Sequence, residues 1–127
     1  MKNPELAEKI IEQMNDALIF ADLAGNIQRW NRAATRIFGF TKEEALGESL
    51  NIIIPEKIRK AHWQGFERAV QSGNLQLSGN PTLTRALHKD DTQKIYVEMS
   101  FSLVVDTDGK VIGSIAVARD VTGKIGK

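Results

Sequence analysis

Cysteine does not occur anywhere in the 127 residues. Its absence excludes disulfides, thiolate metal sites, iron–sulfur clusters and a cysteine nucleophile. It also excludes photochemistry that joins a flavin to a thiol. No charge sign dominates, with 17 Lys and Arg against 16 Asp and Glu. The chain therefore lacks the field that would draw it to nucleic acid or an anionic membrane. Apolar runs extend only a few residues, far short of a membrane span. Met1 to Glu12 is a charged helical pattern without the apolar centre of a signal peptide. Together with the missing cysteines, this gives a cytoplasmic location as the expectation, with neither nucleic acid nor membrane as partner. There is no internal repeat, no low-complexity linker and no phosphate-binding glycine loop.

What is present suits one globular domain. Hydrophobic residues make up 42% and charged residues 26%, enough to support a core in a chain of this length. Pro4 can open a helix. Behind it Leu6, Ile10 and Met14, with Ala7 and Ile11, form an apolar stripe that needs a partner. Ala17 to Ala21 and Asn26 to Trp30 read as two strands, joined by the turn Asp22-Leu23-Ala24-Gly25.

Asn31 is placed as N-cap of a helix that Gly39 ends. Thr41-Lys42-Glu43-Glu44 is a capping box for a second short helix, closed by Gly47. A longer helix is expected from Pro55 to about Gln71. Leu75 to Leu87 reads as a strand interrupted at Gly79-Asn80-Pro81. Ile95, Val97, Met99, Phe101 and Leu103 then alternate with polar residues, the clearest period-two pattern in the chain. The turn Asp106-Thr107-Asp108-Gly109 leads to a last strand, Val111 to Val121. Strands at both ends with helices between them predict an α+β fold around an antiparallel sheet.

Set in this order, several short motifs resemble the PAS family over nearly the whole chain. Asp22 to Ile27 followed by Trp30-Asn31-Arg32-Ala33-Ala34 is similar to the family's first hairpin and helix start. Phe38-Gly39-Phe40-Thr41-Lys42-Glu43-Glu44-Ala45-Leu46-Gly47 is similar to its second signature. Ile54-Pro55-Glu56 opens the long helix, and Lys89-Asp90-Asp91 stands where Lys-Asp-Gly is usual. Arg119-Asp120-Val121-Thr122 resembles the terminal motif that hands over to a linker. The resemblance implies a five-stranded antiparallel sheet in the order 2-1-5-4-3, with helices on one face enclosing a cavity. It divides the chain into an N-terminal flanking helix (1–14), the PAS domain (15–122) and a tail or linker start (123–127). It implies a sensory module that binds a ligand or mediates dimerisation, and no enzyme.

His62 is the candidate with chemistry. Helical periodicity places Ile58, His62, Gly65, Phe66 and Ala69 on one stripe facing the sheet. Gly65 leaves room beside the imidazole. A neutral imidazole in an apolar pocket suits the axial position of heme iron. Pro55-Glu56-x-x-Arg59-x-x-His62-x-x-Gly65 also resembles the proximal helix of oxygen-sensing heme PAS proteins, where the matching His binds iron. The expected cofactor contacts are thus His62, Ile58, Gly65, Phe66, Thr82, Met99 and Phe101. Counting onward, the distal Arg of those sensors falls at Thr82 and the Met ligand of others at Asn80, while Arg85 is expected on the opposite strand face. The alternative for His62 is a core histidine hydrogen-bonded across the cavity.

Trp30 is placed over the cavity or on the outer sheet face, and Trp63 on the helix surface or against a loop. Either could stack on a flavin, although packing is the plainer role. Glu43-Glu44 and Asp90-Asp91 sit in a cap and a turn, where backbone geometry explains them. Ser100 and Ser102 have no histidine at triad spacing, and no catalytic residue is assigned. Three readings follow. The first is a small-ligand sensor, with heme on His62 as its sharpest form. The second is a flavin- or metabolite-binding domain. The third is a cofactor-free module that forms a homodimer through the N-terminal helix or the sheet.

Overall fold

The structure is a computed structural model that describes residues 3–73 and 82–124. The first helix, α1 (Asn3–Gln13), leads into the hairpin β1 (Ala17–Asp22) and β2 (Ile27–Trp30). The helical segment follows as α2 (Arg32–Phe38), α3 (Lys42–Ala45), a 3-10 turn at Leu50–Ile52, and α4 (Glu56–Ser72). Three strands close the fold: β3 (Thr82–Ala86), β4 (Ile95–Val105) and β5 (Val111–Asp120). The sheet is antiparallel throughout, in the order β2-β1-β5-β4-β3. The chain's two ends thus supply the central strands, and the helical segment connects the sheet's two edges.

Local signals account for the helix boundaries. The Thr41 hydroxyl accepts from the Glu44 N–H at 3.1 Å, and the Glu44 carboxylate accepts from the Thr41 N–H at 2.8 Å. This satisfies two donors that a helix start leaves unpaired. Gly73 ends α4 in a left-handed conformation. Asn31 does more than cap α2. Its side-chain oxygen accepts from the N–H groups of Ala34 and Leu18, each at 3.0 Å. Its amide donates to the carbonyls of Ile11 and Asp16 at 2.8 and 3.1 Å. One fully buried amide therefore ties the end of α1, the start of β1 and the start of α2 together.

The core lies between the sheet's inner face and the helices. Ile19, Ile27, Trp30, Phe38 and Val97 are its largest fully buried apolar side chains. Trp30 belongs to this core, donating its indole N–H to the Thr35 hydroxyl and the Phe40 carbonyl at 3.1 Å each. α1 is different. None of its residues is buried, and Leu6 and Ile10 remain 48% and 57% exposed. Of its apolar stripe, Ile11 and Met14 are half-buried where the helix meets the domain, while Leu6 and Ile10 stand open. Two surface ion pairs, Arg29 with Glu8 at 2.6 Å and Lys42 with Glu12 at 2.8 Å, hold it against the domain. The first part of the strand expected over Leu75 to Leu87, including Asn80, lies outside the described residues.

Candidate functional site

The helix α4 runs beside the sheet with a single fully buried residue, Ala69. Its first half is fixed by polar contacts. Arg59 donates to the carbonyls of Ile54 and Asn51 at 2.9 and 3.1 Å. The Trp63 indole N–H donates to the Asn51 side-chain oxygen at 2.7 Å. The Trp63 ring presses on the β1–β2 turn, where a Cβ added to Gly25 would stand 2.3 Å from it. Gly25 also has φ +82°, so its identity is required by both conformation and space.

The second half of α4 borders a cavity of about 830 Å³. From the helix come Ala61, His62, Gly65, Phe66 and Ala69, with Arg68, Gln71 and Ser72 towards its C-terminus. The sheet contributes Ile19 and Ala21 from β1, Phe101 and Leu103 from β4, and Ser114 and Ala116 from β5. A smaller compartment of about 70 Å³ lies towards the start of α4 and β3. Leu50, His62, Phe101 and Ala116 line both spaces.

His62 is half-buried, and its Nδ1 is buried without a hydrogen-bond partner. The alternative of a core histidine bonded across the cavity finds no support at that nitrogen. Burial pushes the imidazole pKa below its usual 6.5, which favours the neutral ring with a lone pair to offer. The ring stands edge-on to Trp63, with centroids 4.6 Å apart. At Gly65 an added Cβ would meet no atom within 4 Å, so the helix wall is recessed beside the imidazole.

The structure brings His62, Gly65, Phe66 and Phe101 together around the large cavity, and it places Met99 on the small compartment. Ile58, which is 43% exposed, borders only the small compartment, as Met99 does. One residue differs from the expected set. Thr82 lines neither space. It pairs with Met99 on the edge strand, and Thr84, two residues on, takes the lining position. Arg85 alternates with Thr84 and Ala86 and is exposed, though it too borders the small compartment.

Periodicity placed Leu103 on the inward stripe of β4 but did not single out the rest of the sheet-side lining, Ile19, Ala21, Ser114 and Ala116. Its signal was a concentration of small residues on inward positions. Among the described residues no group of His, Asp and Glu could hold a metal ion, and no helix is long and apolar enough to cross a membrane.

Comparison with known proteins fits this geometry. A family model of the PAS fold matches residues 5–121. Sensor protein FixL of Bradyrhizobium diazoefficiens is 31% identical over 83 residues, 65% of this chain and 16% of that protein. Oxygen sensor protein DosP of Escherichia coli is 26% identical over 112 residues, 88% of this chain and 14% of that protein. The chain thus spans about a seventh of the length of these relatives. Among solved structures, a PAS domain from Colwellia psychrerythraea superposes with a TM-score of 0.82 at 22% identity, covering 96% of this chain and 99% of that one. An RNA-binding light-oxygen-voltage receptor superposes with a TM-score of 0.79 at 21% identity, covering 97% of this chain and 34% of that one.

Proposed function

The chain belongs to the PAS family, and from that membership we propose that it senses a small ligand held in its internal cavity, with heme b on His62 as the specific form. The observation that carries this reading is a neutral, half-buried imidazole whose buried Nδ1 has no partner, beside a cavity of about 830 Å³. That size lies within the range of small-molecule sites, roughly 300–1,000 Å³. Leaving a buried polar atom unpaired costs about 1–3 kcal/mol, which a bound group satisfying the imidazole would recover.

The residues present fit heme. His62 would supply the axial nitrogen, and Phe66, Ala69, Phe101 and Leu103 would flank an apolar macrocycle. Bound iron would add visible absorption and a coordination position open to a sixth ligand. Across from α4, the lining from the sheet offers Ile19, Ala21, Ala116 and one hydroxyl, Ser114. Neither Arg85 nor Thr82 lines the large cavity, and the arginine that does, Arg68, comes from α4.

Hemin titration tests the reading. A saturable Soret band that His62→Ala abolishes is the expected result. Hemin that binds no better than to an unrelated protein sinks the heme form. Flavin-like absorption in purified protein would move the site to the flavin reading, and a flat spectrum after full loading would leave a colourless metabolite.

A second reading, the cofactor-free homodimer, has its own observation in the exposed Leu6 and Ile10 of α1. The Ile11 carbonyl accepts from buried Asn31, so removing α1 would damage the domain itself. The cleaner test is Leu6→Glu with Ile10→Glu. Sedimentation should then show a monomer; a dimer that persists rules out α1 as the interface and leaves the sheet.

A further inference from the structure

The small compartment beside His62 has a chemistry of its own. Ile53, Ile54, Ala86 and Met99 wall it, and each is no more than 8% exposed. Its volume is about 70 Å³. Liquid water takes roughly 30 Å³ per molecule, and a water in such a place needs at least two polar partners. Those partners are scarce here. The Thr84 hydroxyl donates to the Arg85 carbonyl at 3.4 Å. Arg85 also borders the space, but it is exposed to solvent. Among the lining side chains this leaves the His62 imidazole and the lone pairs of the Thr84 hydroxyl, set in an otherwise apolar space. A dry apolar cavity of about twice this volume accepts benzene or xenon, so half of it suits a molecule of roughly two to four heavy atoms.

We propose that this compartment is a second binding site, for a small apolar molecule of diatomic-gas size, separated from the large cavity by the side chains of His62 and Phe101. Those two residues line both spaces. An occupant would bear on the same imidazole that faces the large cavity, and so bias whatever binds there. The site does not depend on the identity of the main ligand. It stands if hemin fails to bind, and it fails on its own evidence.

Xenon is the probe, applied under pressure to the ligand-free chain carrying 13C-labelled methyl groups. The Met99, Ile53, Ile54 and Ala86 methyl resonances should shift along one saturating curve. The His62 ring resonances should follow that same curve. Thr84→Leu and Ala86→Leu each fill the compartment, and either should remove these shifts while the Leu103 and Ala21 methyls still respond. The second variant guards against one that folds poorly, with the dispersion of the methyl spectrum as the control for folding. Shifts that rise linearly without saturation, that survive in a folded filled variant, or that appear only at Leu103 and Ala21 overturn the site. Saturation at the four methyls with His62 unmoved overturns its coupling to the large cavity.

Discussion

Gly65 gives the sharpest test of the cavity, because stability and binding should move in opposite directions there. A glycine inside a helix costs about 0.8–1.0 kcal/mol relative to alanine. An added methyl usually has to be weighed against crowding, but at position 65 it meets no atom within 4 Å. Gly65→Ala should therefore stabilise the ligand-free domain by about 0.5–1 kcal/mol. For a chain of this size that raises Tm by roughly 2–5 °C. Gly65→Leu should retain the helical gain and add apolar contact with the cavity wall. Its side chain would also occupy the recess beside His62. Hemin, or any ligand packed against α4 there, should bind at least about tenfold more weakly, some 1.4 kcal/mol. Urea unfolding with an unchanged m-value measures the first effect, and hemin titration the second. If Gly65→Ala lowers the midpoint, the space beside the helix is filled and the cavity argument is wrong. If Gly65→Leu binds hemin as the wild type does, the ligand does not lie against this helix.

Three other perturbations address the parts around the cavity. Burial depresses the His62 pKa, so above pH 6.5 the ring is neutral in both folded and unfolded chains and adds no pH dependence. As pH falls through 6.5, the unfolded chain binds a proton that the folded one resists, and stability drops. In the ligand-free protein His62→Gln should flatten that drop, so stability curves that stay parallel down to pH 5 would count against a buried imidazole. Gly25→Ala combines left-handed strain of about 1–2 kcal/mol with displacement of Trp63 from Asn51, about 1 kcal/mol more. The total is roughly 2–3 kcal/mol by urea unfolding, and it should shrink in a Trp63→Leu background; additive losses would show that Trp63 does not press on the turn. Asn31→Ala removes a cap and leaves one buried and three part-buried backbone groups without their partner, a loss on the order of 3 kcal/mol. Asn31→Ala within 1 kcal/mol of wild type in the same assay would mean that the junction of α1, β1 and α2 does not rest on this amide.

Local chemistry made most of the fold legible. The Asn31 cap, the Thr41–Glu44 capping box and Gly73 mark boundaries that depend on a few neighbouring residues. The structure draws them where those residues indicate. The alternation in β4 is legible for the same reason, but it fades along the strand. Ile95, Val97 and Met99 are buried, whereas Phe101 and Leu103 are only partly so. The pattern of residues is the same at both ends of the strand. What changes is the neighbour: packed core at one end, open cavity at the other.

That contrast explains why the inward stripe of α4 was readable and the space beneath it was not. Periodicity reports which face of an element turns inward, and a filled core and an empty one require the same face. Residue size carries the missing information. Against the cavity the helix presents Ala61, Gly65 and Ala69, and the sheet presents Ala21, Ser114 and Ala116. In a filled interior, small residues on one wall are met by large ones on the other, because packing density is nearly uniform. Here small residues occur on both walls, between Phe66 on one side and Phe101 and Leu103 on the other, while larger groups fill the interior elsewhere: Ile27, Trp30 and Phe38 in the core, and Trp63 against Asn51 and Gly25. Volume is therefore left over at the one place where His62 projects inward.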